Sequence, residues 1–399
     1  MIDLKAARHD PEGFRAALAR KGAAEAFDAM LGADERWRAL VPRIDELRSR
    51  TKLKGKPSPD QLAELQSVKE ELRAAEEELA IAEAARDELA LRVPNPPAAD
   101  SPDGSTEDDV EELRRVGEPS AAEGAREHVE VGRFDMDRAA RMSGARFGYW
   151  IGDTARLALA LYRLALDRLA ANGFVTVLPP VLVREGALIG TGAFPSDQAN
   201  VYELPADGLF LAGTAEIPLA SLHAGEILET DELPLRYVAF SPCFRREAGA
   251  AGRDTRGMIR VHQFNKVEQF SFTRPEDSWD EHELLLANTE QLVRELGLPY
   301  RVVVLPAGDI SSAAAKTYDV EIWFPSQGRY RETGSISNTT DFQSRRLGIR
   351  MRGEGGPEPV HMLNGTAVVD RMALAVLENF QGDVPDVLQP YGAPARIES

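Results

Sequence analysis

The stretch from Val238 to Phe270, VAFSPCFRREAGAAGRDTRGMIRVHQFNKVEQF, constrains the fold of this chain more than any other. It reads as two antiparallel strands, Val238–Glu247 and Met258–Phe270, joined by a loop rich in glycine and charge. Gly249, Gly252, Arg253, Asp254, Arg256 and Gly257 break strands and favour turns. Side chains alternate faces along a strand. Arg245 and Glu247 are therefore expected on one face of the first strand, and Arg260, His262, Phe264, Lys266 and Glu268 on one face of the second. Cations, carboxylates and a single aromatic make a poor core surface. Such a face is either solvated and laced with cross-strand ion pairs, or it is the floor of a site for a ligand with a phosphate, an amine and a flat ring.

Helical signals dominate the N-terminal quarter. Asp10-Pro11 caps a short helix expected to run to about Lys21. A longer helix is expected over 33–54, where Trp37, Leu40, Ile44, Leu47 and Thr51 are spaced by threes and fours. Pro42 is expected to kink it or end its first part. A third helix, over 60–92, keeps a heptad through Leu65, Val68, Leu72, Ala75, Leu79, Ala82, Leu89 and Val93, with Arg86 the single interruption. At 1.5 Å per residue it is roughly 50 Å long. Leu53 to Pro59 (LKGKPSP) turns one helix back on the other as an antiparallel hairpin. Arg48, Arg50, Lys52, Lys54 and Lys56 gather at the tip. They are either solubilising charges at a helix end or contacts to RNA phosphates, which lysine and arginine neutralise without reading sequence.

Composition sharpens that choice. The net charge is −18, which argues against non-specific nucleic-acid binding and leaves RNA contact, with no DNA partner, to local basic patches. Cys243 is the only cysteine, so no disulfide can form within the chain, as in a reducing cytoplasm. No signal peptide is visible, and no apolar run approaches the ~20 residues of a membrane span. Pro94 to Glu112 is rich in Pro, Asp, Glu, Ser and Gly and reads as a flexible acidic linker. The expected division is a helical arm over 1–98, the linker over 99–116 and a mixed body over 117–399.

Within the body, a helix over 154–171 ended by Gly173 leads into a strand over 174–178 stopped by Pro179-Pro180. A strand over 209–212 runs into Gly213-Thr214-Ala215-Glu216. A Thr-x-Glu turn either caps the next helix or offers hydroxyl and carboxylate to an ammonium. Further strands are expected over 318–324 and 330–337, and LNGT at 363–366 precedes Arg371 and a helix to about Phe380. His223 and His262 have no metal-ligand spacing and read as structural.

FRRE, the glycine loop and RVHQFNKVE, in that order, resemble motif 2 of the class II aminoacyl-tRNA synthetases, with the wording of the seryl-tRNA synthetases. The helix–strand–proline segment is similar to motif 1, a dimer-interface element, and LNGT with Arg371 to motif 3. The resemblance spans essentially the whole chain. It implies an α+β fold: an N-terminal antiparallel helical-hairpin (coiled-coil) arm, then a class II synthetase domain with an antiparallel sheet flanked by helices. It implies activation of L-serine by ATP with Mg²⁺, then transfer to tRNA(Ser), with tRNA(Sec) a second acceptor left open, by a homodimer.

The same resemblance implies residue roles. Thr214, Glu216, Arg245, Glu268, Asn364 and Thr366 are implied to bind serine. Arg245, Arg246, Glu247, Val261, Phe264, Glu332, Thr333, Gly334, Ser335 and Arg371 are implied to bind ATP, with Arg245, Glu247 and Arg371 catalytic and Glu332 and Ser335 on Mg²⁺. The basic arm tip, with Arg253 and Arg256 in the motif 2 loop, is implied to meet tRNA. Two departures stand out. Gly334 replaces the first serine of a family pair, and the spacing from Thr366 to Arg371 is one residue short, enough to swing an arginine by about 100° around a helix. They motivate two rival readings: a specialised paralogue serving another acceptor, and a non-catalytic tRNA-binding protein.

Overall fold

The computed structural model describes residues 1–52, 58–248, 257–353 and 355–398, and the chain divides into two compact units, Met1–Pro96 and Pro97–Ser399. The first unit is helical: α1 (Leu4–His9), α2 (Pro11–Ala19), α3 (Ala24–Arg50) and α4 (Pro59–Arg92). The Asp10 carboxylate accepts the Gly13 N–H at 3.0 Å with Pro11 in the first turn, the expected cap. Ser58 and Gln61 cap α4 reciprocally. Ile44 and Leu47 of α3 pack with Val68 and Ala75 of α4, flanked by Leu72 and Leu79. These are seam positions of the heptad reading.

Three details refine the expectation. α3 begins at Ala24 rather than near 33, because Phe27 and Met30 are also buried. Pro42 lies inside α3 without ending it: proline forfeits one backbone bond, and packing along the hairpin supplies most of the stability of such a helix. Arg86 does not break the seam, since its guanidinium lies 4.2 Å from the centre of the Trp37 ring. The aliphatic stem can stay in the seam while the cation covers the aromatic face.

The second unit is built on an eight-stranded sheet. In chain order its strands are β1 (Glu111–Val116), β2 (Val175–Val177), β3 (Leu235–Phe244), β4 (Gln263–Thr273), β5 (Tyr300–Val304), β6 (Lys316–Phe324), β7 (Arg329–Asn338) and β8 (His361–Val369). Their spatial order is β1-β5-β6-β7-β8-β4-β3-β2, antiparallel throughout except that β2 runs parallel to β3. The end of the expected linker is therefore ordered. Glu111–Val116 pairs with β5, and Arg114 bridges to the buried Glu290 at 2.6 Å. An edge strand tolerates charges that otherwise read as linker.

Helices α5 (Asp153–Ala171), α6 (Ser278–Glu295) and α7 (Asp370–Phe380) complete the core. Leu157, Leu161, Leu285, Val293, Met372 and Leu377 share one buried cluster with Val238, Val267, Val320 and Ile336 of the strands. On β4, Gln269 and Ser271 bond to α6, Gln269 to the Leu285 carbonyl and Thr289, Ser271 to Glu281. Phe264, Lys266 and Glu268 alternate to the other face, as the strand period requires.

His282 of α6 is 1 % exposed. Its Nε2 donates to the Ile336 carbonyl at 2.9 Å, and Nδ1 has no partner. Burial lowers its pKa from 6.5 to about 4. A base depressed in the folded state stabilises the fold above its unfolded pKa, and that stability is lost as pH falls through the folded value. The expected outcome is a loss of about 3 kcal/mol between pH 6.5 and 4 from this group. Denaturant midpoints of wild type and His282→Gln across that window check it: the wild-type curve falls more steeply.

Candidate active site

The face of the sheet opposite α6 floors a cavity of about 350 Å³. Phe264, Lys266 and Glu268 of β4, Asn364 and Thr366 of β8, and Ser335 and Ser337 of β7 line it, together with Thr214, Glu216, Arg245, Glu247, Val261 and Arg371. Among the residues assigned to serine, ATP or metal by resemblance, Arg246 and Gly334 do not line it. Arg246 is turned to Tyr202, 5.8 Å from the ring centre. A Cβ at Gly334 would meet Thr289 and the Thr366 carbonyl, each at 3.3 Å. A side chain at residue 334 would thus point toward α6, away from the cavity.

The hairpin strands are shifted from expectation. β3 stops at Phe244 and β4 starts at Gln263, with Phe264 opposite Cys243. Arg245 and Glu247 therefore lie beyond the ladder, and shared strand alternation does not explain their placement. Glu247 adopts a left-handed backbone, φ 53°. The Arg245 N–H donates to the His262 carbonyl at 3.0 Å. Asn200 accepts from the Arg246 N–H with its carbonyl at 2.8 Å and from the Ala248 N–H with its side chain at 2.9 Å. Arg245 Nε donates to the Gly213 carbonyl at 3.3 Å, and its guanidinium lies 5.4 Å from the Phe264 ring centre. Arg260 is likewise off the strand and ion-pairs with Glu247. His262 sits against Phe147 and Tyr202, the structural role expected of it. His223 does the same by bonding Glu226 and Tyr237. Arg253 and Arg256 lie outside the described residues.

The Thr-x-Glu turn lines the same cavity. Thr214 Oγ1 accepts the Glu216 N–H at 3.2 Å, a bond within the turn rather than a side-chain cap of the next helix, and Glu216 accepts from Gln343 Nε2 at 2.8 Å. Burial raises the pKa of Glu216, and also of Glu268, which Thr366 and Lys266 contact. Lys266 Nζ stands 2.8 Å from Thr214 Oγ1 and 2.5 Å from Glu268 Oε2. The second contact joins residues two apart on one strand and is misaligned for a hydrogen bond: Oε2 is buried beside a cation but has no aligned donor.

Two β-bulges assemble the rest. Glu332 and Ser335 are three apart, so a regular strand would put them on opposite faces. In β7, Gly334 pairs with Val320 and Glu332 with Glu321, so Thr333 is the extra residue. The Thr333 hydroxyl turns away to the Val320 carbonyl at 3.0 Å, and Glu332 and Ser335 both reach the cavity. In β8 the extra residue is Ala367: Thr366 pairs with Glu268 and Val368 with Val267. The strand then enters α7 with Arg371 turned to the cavity, its guanidinium 3.6 Å from the Glu332 carboxylate. The short spacing before Arg371 therefore does not remove it from the site. Asp370, unnoticed in the sequence, fixes that turn by accepting the Asn265 N–H at 3.0 Å and the Tyr162 hydroxyl; burial raises its pKa to about 7.

Glu332 and Ser335 suit a hard cation. The Ser335 hydroxyl donates to buried Asp319, leaving its lone pairs available, and the Glu332 carboxylate is half-exposed. Burial, reinforced by Glu332, pushes the Asp319 carboxyl well up. Among the described residues no cluster of three His, Cys, Asp or Glu side chains is arranged to hold a metal alone. A cation here would share phosphate and water oxygens, as Mg²⁺ commonly does. Of the basic arm tip, Arg48 bridges to Glu76 at 2.9 Å, Arg50 and Lys52 are exposed, and Lys54 and Lys56 lie outside the described residues.

Sequence reasoning missed Gln343, Lys266 and Asp370 as site residues. Only Lys266 carried a signal, its alternation with Phe264 and Glu268.

Residues 1–97 match the family described as seryl-tRNA synthetase N-terminal domain, and residues 202–380 the tRNA synthetase class II core domain (G, H, P, S and T). The chain is 46 % identical over 414 residues to the serine–tRNA ligase of Thermobifida fusca, covering 98 % of this chain and 97 % of that one. It is 45 % identical over 413 residues to that of Streptomyces coelicolor, with the same coverage. The crystal structure of seryl-tRNA synthetase from Pyrococcus horikoshii complexed with ATP superposes with a TM-score of 0.94 at 38 % identity, covering 100 % of this chain and 99 % of that one. With site geometry, full-length identity and fold in agreement, the chain belongs to the seryl-tRNA synthetase family of class II aminoacyl-tRNA synthetases.

Proposed function

We propose that this cavity activates L-serine with ATP and passes the seryl group to the 3′ end of tRNA(Ser). The ligase activity follows from membership of the family; the residue roles are our reading. The supporting observation is the convergence of Arg245, Phe264, Glu268, Thr366, Glu332 and Arg371 on one cavity through two bulges and a hairpin end. Phe264 stacks on adenine, and Glu247 accepts from its amino edge. Arg245 holds the α-phosphate and the serine carboxylate, whose oxygen attacks that phosphorus as pyrophosphate leaves. Arg371 neutralises the terminal phosphate. Glu332 and Ser335 hold Mg²⁺, which supplies charge neutralisation to the phosphates. Thr214, Glu216 and Glu268 bind the ammonium. Asn364 and Thr366 bond the serine hydroxyl, so alanine would leave buried polar groups unpaired. The protein's own contribution is mainly positioning and fixed charge.

The arm over 1–98 grips tRNA, and 117–399 carries catalysis. Exposed Leu159, Val175, Leu178 and Leu182, in and around the motif 1 segment, support a homodimer. Among the described residues no helix is long and apolar enough to cross a membrane; we assign the chain to the cytoplasm.

Amino-acid-dependent ATP–pyrophosphate exchange over a panel of amino acids, with and without tRNA, tests the assignment. Exchange with serine alone, independent of tRNA, followed by charging of tRNA(Ser), is expected. Exchange with another amino acid, or none, overturns it.

A further inference from the structure

The serine end of the cavity holds a charged group to which the roles above give no task. Lys266 is 7 % exposed, and its ammonium touches two acceptors assigned to the substrate ammonium, Thr214 Oγ1 and Glu268 Oε2. The ionisable groups around it are Glu216, Glu268, Arg245 and the buried Cys243 thiol. Burial raises the thiol, which stays neutral. Arg245 is matched by the anionic groups of the substrates. The remaining charges are two buried carboxylates against one lysine. In so dry a place an unmatched charge is costly. With both carboxylates ionised beside the lysine, the pocket is one negative charge in excess, and a single entering ammonium balances it.

We propose that Lys266 is a specificity-determining residue that sets the charge of the amino-acid pocket, neutralising one of its two carboxylates so that the site accepts an amino acid with one ammonium and a neutral side chain. The inference rests on the serine-binding reading above and extends it. Lys266 stays beside Glu268 and Thr214, and the entering ammonium shares them and adds Glu216, whose orientation Gln343 fixes. A substrate carrying a second cation would face Lys266 at close range in a medium that screens poorly. Without the lysine two carboxylates face one ammonium, and a dication becomes the better match.

The test compares serine with L-2,3-diaminopropionate at about pH 6, where both of its amines are protonated and an ammonium replaces the serine hydroxyl at nearly the same size. Pyrophosphate exchange is measured for wild type, Lys266→Met and Lys266→Arg. Wild type is expected to favour serine. Lys266→Met is expected to raise KM for serine roughly tenfold or more and to move the preference toward diaminopropionate by at least as much, with KM for ATP unchanged. Lys266→Arg, which keeps the charge, is expected to restore the preference for serine. If Lys266→Met is too slow to assay, thermal shifts by each amino acid in the presence of ATP read the same ratio. An unchanged ratio, or equal losses for serine, diaminopropionate and ATP, overturns the role of Lys266. Absence of serine-dependent exchange in wild type overturns the serine reading itself, a distinguishable result.

Discussion

Arg245→Ala abolishes serine-dependent pyrophosphate exchange, lowering kcat/KM by roughly three orders of magnitude, the scale of losing an arginine from a phosphoryl-transfer site. The size of the effect follows from where the guanidinium sits. It is held between the Gly213 carbonyl and the Phe264 ring, at the mouth of a pocket containing two buried carboxylates. Removing it leaves the anionic reactants without their arginine, and Lys266 cannot replace it because its ammonium is already held by Glu268 and Thr214. Arg245→Lys is expected to recover little, because an ammonium cannot make the paired, planar contact of a guanidinium. Steady-state exchange, with thermal unfolding as a control, checks this. Near-normal exchange in Arg245→Ala removes the arginine from its assigned role.

The second large effect is expected at the helical arm. Replacing Lys52, Lys54 and Lys56 together by Glu weakens tRNA binding by about 100-fold at physiological salt and lowers the salt slope of binding, since three phosphate partners become repulsive. Adenylate formation is unaffected. Aminoacylation KM for tRNA, measured beside pyrophosphate exchange, separates the two. Equal loss of both indicates misfolding and refutes a docking role. Arg48 is the less informative choice, because it already bridges to Glu76 across the hairpin and its loss also disturbs α3 against α4.

Periodic elements were legible. The seam of the arm, the cap at Asp10, and the alternation of Phe264, Lys266 and Glu268 follow from spacings that a helix or strand imposes locally. The positions of Arg245, Glu247, Glu332 and Arg371 did not follow from spacing. Alternation put Arg245 and Glu247 on a strand that ends at Phe244, and it separates Glu332 from Ser335. Resemblance, rather than periodicity, gave those residues their roles.

What the sequence determined by itself is whatever depends on near neighbours along the chain: helices, strands, the hairpin, and the residue types available for chemistry. Only the tertiary structure decided which of those residues meet. A bulge at Thr333 and another at Ala367 each insert one residue, and a one-residue slip reverses the face of every side chain beyond it. Asn200, Gln343 and Asp370 hold the assembled residues in place across separations that no local pattern records. The physical reason is that backbone pairing between distant strands, set by packing of the whole sheet, chooses the register, and the register chooses the site.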